Sequence, residues 1–132
     1  MHIKNTWKSQ KGQSLVEMAL ILPILLILVM GIIDFGLLFG NYMTIDNASR
    51  EGARNAVVGK TDTQVTDIVQ GMTQNLDRAD MKITIYPGQS VRKKGDEVTI
   101  TVEYDNKLIT PIISAIIPNP VHLTAKTVMR ME

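Results

Sequence analysis

From Met18 to Ile33 the chain carries no charged residue, and its one interruption is Pro23. That run is about 16 residues, or about 24 Å of helix, slightly short of the hydrocarbon core of a bilayer. Counted from Gln13 it is about 21 residues and about 31 Å, which spans if Glu17 sits near the inner interface. In hydrocarbon a single segment satisfies its own backbone only as a helix, so a membrane-spanning helix is predicted here. Pro23 removes one backbone donor and is expected to bend it. The alternative is the buried core helix of a soluble protein. Such a helix needs a surrounding domain, and little of this 132-residue chain is left over to build one.

The flanks give a direction. Residues 1–12, M-H-I-K-N-T-W-K-S-Q-K-G, hold Lys4, Lys8 and Lys11 and no acid. Positive flanks stay in the cytoplasm, which puts the N-terminus inside and the bulk of the chain outside. A secretory signal peptide also begins this way, but its cleavage site needs small residues after the apolar run. Here the run ends M-G-I-I-D-F-G, with Asp34 or bulky residues in those places. The polar junction lies at the other end. Glu17 stands five positions after Gly12, inside an otherwise apolar run. A carboxylate in the middle of a membrane costs roughly 2.5–3.5 kcal/mol, so its presence suggests a function. If the chain is cut after Gly12, Gln13 supplies a new amino group four positions from Glu17, on one helix face. The two can then pair within or between chains. Otherwise Glu17 lies shallow and reaches the interface by extending its side chain.

G-Q-S-L-V-E before an apolar helix resembles the prepilin motif of type IV pilin-like proteins, a glycine, four residues, then a glutamate. The longer run, with L-P-I-L-L, G-I-I-D-F-G and A-S-R-E-G-A-R, resembles the TadE/TadG-like pseudopilins over about a third of the chain. The resemblance implies cleavage after Gly12 by an aspartic prepilin peptidase, with Gln13 the new N-terminus and Glu17 the glutamate of the motif. It also implies a role in assembling a tight-adherence (Flp-type) pilus, among other pilins, a secretion ATPase and an inner-membrane platform. Met18 stands where aromatic residues are common in such families.

Beyond Asp34 the helical spacing continues through Phe35, Leu38, Phe39, Tyr42 and Ile45, and helix is expected to about Val57, broken at Gly59. Asp34 either marks the outer interface or lies embedded and needs a partner. Gly36, Gly40, Thr44, Ala48, Gly52 and Ala56 recur every four residues and are all small. Gly36 and Gly40 form a G-x-x-x-G step, which lets backbones approach closely in lipid. A row at this spacing is a groove for another helix or a sheet. Its membrane half is expected to serve assembly or self-association, and its outer half to pack on this protein's own sheet.

Residues 59–132 are expected to form a small exported α+β domain behind the leader (1–12) and the long helix (13–58). T-D-T-Q-V-T-D-I-V-Q-G-M-T-Q-N-L-D is amphipathic, with Val65, Ile68, Val69, Met72 and Leu76 on one face and Thr61 or Asp62 as N-cap. Gly71 weakens the pattern. Met81, Ile83 and Ile85, then Val98, Ile100, Val102 and Tyr104, alternate as two strands of an antiparallel hairpin. Val121, Leu123, Ala125, Met129 and Met131 alternate again, with Lys126 and Arg130 opposite them and able to face Glu97 or Glu103. Thr110 and Pro111 suit a helix start, and Pro118 and Pro120 end it. Its isoleucines, Ile112, Ile113, Ile116 and Ile117, are expected either to plug the core under the sheet or to form an exposed apolar lip. Arg92, Lys93 and Lys94 are expected to be a solvated turn, not a nucleic-acid patch.

No constellation of catalytic type is legible. There are two histidines, His2 and His122, and no cysteine, which leaves no thiolate chemistry or disulfide. No Gly-rich phosphate loop follows a strand. Neither a cofactor nor a metal is expected, and a net charge of +1 selects no partner class. The expected molecule is a non-enzymatic, single-pass protein of the cytoplasmic membrane. It is pilin-like, with a three-stranded antiparallel sheet, and reaches the cell surface if processed. A permanently anchored, uncleaved adaptor of the cell envelope is the rival.

Overall fold

The computed structural model describes residues 6–132. His2 and Lys4 of the basic leader lie outside the described residues, as does the side chain of Lys8. The long helix α1 runs from Thr6 to Val57 without a break, through both Gly12 and Pro23. At 1.5 Å per residue it is about 78 Å long, more than twice the thickness of a bilayer core. From Met18 to Ile33 it is apolar on all sides, and residues such as Leu20, Ile24 and Leu28 are exposed. Among the described residues this is the one helix long and apolar enough to cross a membrane. Asp46 and Arg50 pair at 3.2 Å on the exposed side of its second half.

Gly59, at φ +95°, turns the chain out of α1. That left-handed conformation favours glycine, because no Cβ is present to clash. Helix α2, Asp62–Met72, then starts on a capping box. The Gln64 N–H donates to Thr61 Oγ1, and the Thr61 N–H donates back to Gln64 Oε1. Val65 and Val69 are its buried contacts. The expected helix continues to Asp77, but α2 stops at Met72. Thr73 folds its hydroxyl onto the carbonyl of Val69, and Leu76 reaches the core from the turn beyond. Side-chain bonding back to the preceding turn is how threonine competes with helix continuation.

Three strands follow, β1 (Met81–Tyr86), β2 (Glu97–Asn106) and β3 (Val121–Arg130), in the order β1-β2-β3, all antiparallel. Register aligns the apolar alternation of all three on one face. Ile83 faces Val102, which faces Ala125, and Met81 faces Tyr104, which faces Leu123. Arg130 stands opposite Glu97, as expected, but Lys126 stands opposite Thr101. The apolar face is covered by α2 and by the second half of α1, through Ile45, Ala48, Ala53 and Ala56. Two polar contacts fix how α1 lies on the sheet. Ser49 and Thr127 hydroxyls meet at 2.7 Å, and Asn41 Nδ2 donates to Asn106 Oδ1 at 2.6 Å. The result is α+β, a small three-stranded sheet packed on a long N-terminal helix that projects far beyond it.

Between β2 and β3, helix α3 spans Pro111–Ile116. It does not plug the core. Ile112, Ile116 and Ile117 are exposed, and Ile113 turns toward α1, with Cδ1 3.6 Å from where a Cβ on Gly31 would sit. The core was already filled by α1 and α2, which left the four isoleucines no room under the sheet. The basic loop also departs from expectation. Lys93 and Lys94 are exposed, but the Arg92 side chain is 3 % exposed and its Nη1 lies 2.8 Å from Asp62 Oδ1. Arg92 Nη2 also donates to the Lys60 carbonyl, and Gln89 exchanges hydrogen bonds with Asp62. Arg92 thus ties the β1–β2 loop to the start of α2, a long-range contact that local charge spacing does not reveal.

Candidate functional site

The candidate positions fall in three groups along α1. The first is its N-terminal end. Gly12 lies in helix, and a Cβ added there meets nothing within 4 Å among the described residues. Gln13 Nε2 donates to Glu17 Oε1 at 3.3 Å across one turn, and both residues are exposed. The i,i+4 placement expected from spacing is therefore realised by the Gln13 side-chain amide. The main-chain nitrogen of Gln13 is here part of an intact peptide bond inside the helix. Ser14 donates to the Gln10 carbonyl and so adds to the regular helix rather than to any catalytic group.

The second group is at the other end of the apolar run. Asp34 is 3 % exposed and has found partners. The Ile109 N–H donates to Oδ1 and the Thr110 N–H to Oδ2, each at 3.1 Å. A buried carboxylate needs such donors, because burying a charge without hydrogen bonds is costly. Asp34 thus supplies from 75 residues away the acceptor at the start of α3, where Thr110 makes no side-chain cap. From the sequence Asp34 either marked an interface or was embedded with a partner; the structure buries it, and its backbone partners leave no mark in composition.

The third group is the row of small residues, and its two halves differ. Gly36 and Gly40 are exposed, and a Cβ on either would meet nothing within 4 Å. Thr44 folds its hydroxyl onto the Gly40 carbonyl. Ala48 and Ala56 are fully buried under the sheet. A Cβ on Gly52 would lie 2.8 Å from Val69 Cγ2 and 3.4 Å from Ile100 Cγ2. The C-terminal half is the close approach of α1 to α2 and β2, and nothing among the described residues lies within 4 Å of a Cβ placed on Gly36 or Gly40. Phe35 and Phe39 stack beside them, with ring centroids 6.4 Å apart.

The uncovered face of the sheet is polar. His122 Nδ1 lies 2.7 Å from Asp105 Oδ1, and Nε2 lies 3.6 Å from Glu103 Oε1. The hydrogen bond to Asp105, reinforced by the two negative charges, raises the imidazole above its ordinary value despite some desolvation. No group of three or more side chains able to hold a metal occurs among the described residues.

Fold and sites together define a class, a small α+β domain carried on a long apolar helix whose N-terminal end bears a glycine–glutamate pair. The TadE-like protein family model matches residues 12–54, from Gly12 to Arg54, the family that the motifs resemble. The match covers α1 alone and leaves α2 and the sheet outside it. No curated protein and no solved structure matches the chain significantly. The match suggests a protein associated with the tight-adherence pilus. The TadE-like family is a structural or assembly component of that pilus, not a known enzyme family.

Proposed function

We propose that this protein is a minor pilin or pseudopilin of a tight-adherence pilus. In this reading it is cut after Gly12, held in the cytoplasmic membrane by α1 with its sheet domain outside, and then incorporated into or used to start the pilus. The observation that carries the reading is the TadE-like match over the Gly12–Glu17 motif and the apolar helix. Two features support it. Among the described residues nothing lies within 4 Å of a Cβ placed on Gly12, so a requirement for glycine there would fit recognition by a peptidase. Glu17 is exposed on a helix otherwise suited to lipid, and the amine released at Gln13 could meet it in the same or a neighbouring subunit. The partners are then a prepilin peptidase, other pilins, the assembly platform and its ATPase.

The test is the N-terminal sequence and intact mass of protein from membranes of cells carrying the matching peptidase, with Gly12→Ala as control. A mature start at Gln13, lost in the control, is expected. A start at Met1 in both would sink the cleavage step. Glu17→Ala should then be processed yet fail to incorporate; incorporation at the normal level would remove the pairing role.

One observation favours a second reading, an uncleaved, permanently anchored adaptor of the envelope. Helix α1 continues from Thr6 through Gly12, so the bond to be cut lies within regular helix, its carbonyl engaged four residues on. A peptidase would have to unwind that turn, which Gly12 makes easier by about 1 kcal/mol relative to alanine. Retention of residues 1–12 in mature protein identifies this alternative.

A further inference from the structure

Residues 108–118, L-I-T-P-I-I-S-A-I-I-P, carry no charge. They leave the sheet and return along α1 beside the end of its uncharged run. Gly31, Asp34, Phe35 and Leu38 of α1 form one wall of a cleft of about 140 Å³ there, and Leu108 and Ile113 form another. Ile113 and Ile117 line this cleft and Ile109 lines a second one against Met30 and Ile33, yet Ile109, Ile112, Ile116 and Ile117 remain 70, 47, 75 and 46 % exposed. Four exposed isoleucines in so short a segment are a cost in water.

The backbone donors that precede α3 are all provided for, while the first-turn N–H groups of Ile112 and Ile113 have no protein partner among the described residues. The Leu108 N–H donates to Asn119 Oδ1, and the Ile109 and Thr110 N–H groups donate to Asp34. Pro111 and Pro118 have no N–H to satisfy. The Ser114 N–H donates to the Thr110 carbonyl, the Ser114 hydroxyl to the Pro111 carbonyl, and the Ile117 N–H to the Ile113 carbonyl. Irregular backbone is tolerated in an apolar medium only when its donors are satisfied within the protein. This turn meets that condition at each of the non-helical donors from Leu108 to Thr110.

We propose that the α3 lip is a second membrane contact, lying in the leaflet from which the sheet domain emerges, with Ile109, Ile112, Ile116 and Ile117 among the lipid chains. The inference rests on the reading that α1 spans the bilayer. Its occupant is lipid because of position. Ile113 contacts α1 at Gly31, within the uncharged run from Met18 to Ile33, so the medium around α1 at that depth also surrounds α3. From Asp34 back to Gly31 is about 4.5 Å of helix rise, close to the roughly 5–10 Å at which interfacial helices lie. Lys107 and His122 flank the segment and stay exposed, which keeps charge at headgroup level. The lip fixes the rotation of α1 about its axis and sets the sheet domain against the membrane surface.

The chain has no cysteine, so single nitroxide labels can be placed on the full-length protein. Ile112→Cys and Ile116→Cys are measured in vesicles of phosphatidylcholine and phosphatidylglycerol, by collision with oxygen, which favours lipid, and with a nickel chelate, which stays in water. Leu25→Cys reports the span, and Val128→Cys reports the exposed far side of the sheet. The expected result is loss of nickel access at 112 and 116, with oxygen access close to that at 25. If 112 and 116 resemble 128 while 25 is in lipid, the lip is in water and the proposal is wrong, although the span stands. If 25 is itself open to nickel, the spanning reading fails and the lip falls with it. Labels at 112 and 116 shielded from both reagents would mean that protein, such as a second copy of this chain, covers the lip, and would overturn the assignment to lipid.

Discussion

Asp34 illustrates how one side chain can organise a segment far from it. Its carboxylate holds the N–H groups of Ile109 and Thr110, and hydrogen bonds to a charged group contribute about 1.5–3 kcal/mol each. In Asp34→Ala both donors lose their acceptor and α3 loses its attachment to α1. The expected outcome is faster hydrogen exchange at the Ile109 and Thr110 amides, by on the order of tenfold or more for about 2 kcal/mol, with the amides of β2 little changed. Unaltered exchange at 109 and 110 would show that the turn is held by other contacts. His122 makes a different prediction, one about pH. Its imidazole is raised by the hydrogen bond to Asp105 and by the charges of Asp105 and Glu103. A folded value above the unfolded one means that the pairing contributes fully below the ordinary histidine range near 6.5 and is lost as pH rises through the raised value. An NMR titration should place the His122 midpoint above 6.5, and Asp105→Asn should lower it. A midpoint that ignores that substitution would assign the shift elsewhere.

Helix α1 is one element by its hydrogen bonding and two by its surroundings, and its glycines separate them. At Gly52 an added Cβ meets the Val69 methyl at 2.8 Å, and Val69 is a stiff, fully buried side chain with nowhere to move. Gly52→Leu should therefore lower stability by about 3 kcal/mol, at the upper end of overpacking costs. Gly36→Leu and Gly40→Leu project into open space and should leave the unfolding midpoint of the sheet domain in detergent within error of the parent. The same pair should weaken crosslinking between copies or to pilus partners in membranes, if the G-x-x-x-G step serves assembly. Unchanged crosslinking would remove that role. The legibility of the sequence divides at the same level. Period-two alternation placed all three strands because each has one face on the core. Thr61 and Asp62 announced the start of α2 through ordinary capping chemistry, and the structure uses Thr61. The end of α2 was misplaced because Leu76 is buried without being helical, and periodicity registers burial alone. Arg92 was misplaced because a charged triplet in a loop does not disclose that one of its members has a carboxylate partner 30 residues back.

At the scale of the whole molecule, the boundary between anchor and domain does not coincide with the end of the long helix. The sheet's buried face is completed by Ile45, Ala48, Ala53 and Ala56, all on α1 and all fully buried. Without them Ile100, Val102, Val65 and Val69 lose their cover. Burying such side chains is worth about 1.5–3 kcal/mol each, so the four together account for roughly 6–12 kcal/mol. That is comparable to the whole stability of a small domain, about 5–15 kcal/mol. A fragment of residues 59–132 should therefore be unfolded, with an NMR spectrum lacking amide dispersion. A fragment of residues 41–132 keeps the core, the Asn41–Asn106 bond and the Ser49–Thr127 contact, and should fold and unfold cooperatively without detergent. If the shorter fragment folds as well as the longer, the second half of α1 is a tether rather than part of the core, and only then could it be free to separate from the sheet. If only the longer folds, the sheet moves rigidly with the helix. Any rotation or extraction of the anchor would then be transmitted directly to the domain, and the α3 lip, fastened to the same helix through Asp34, would move with both.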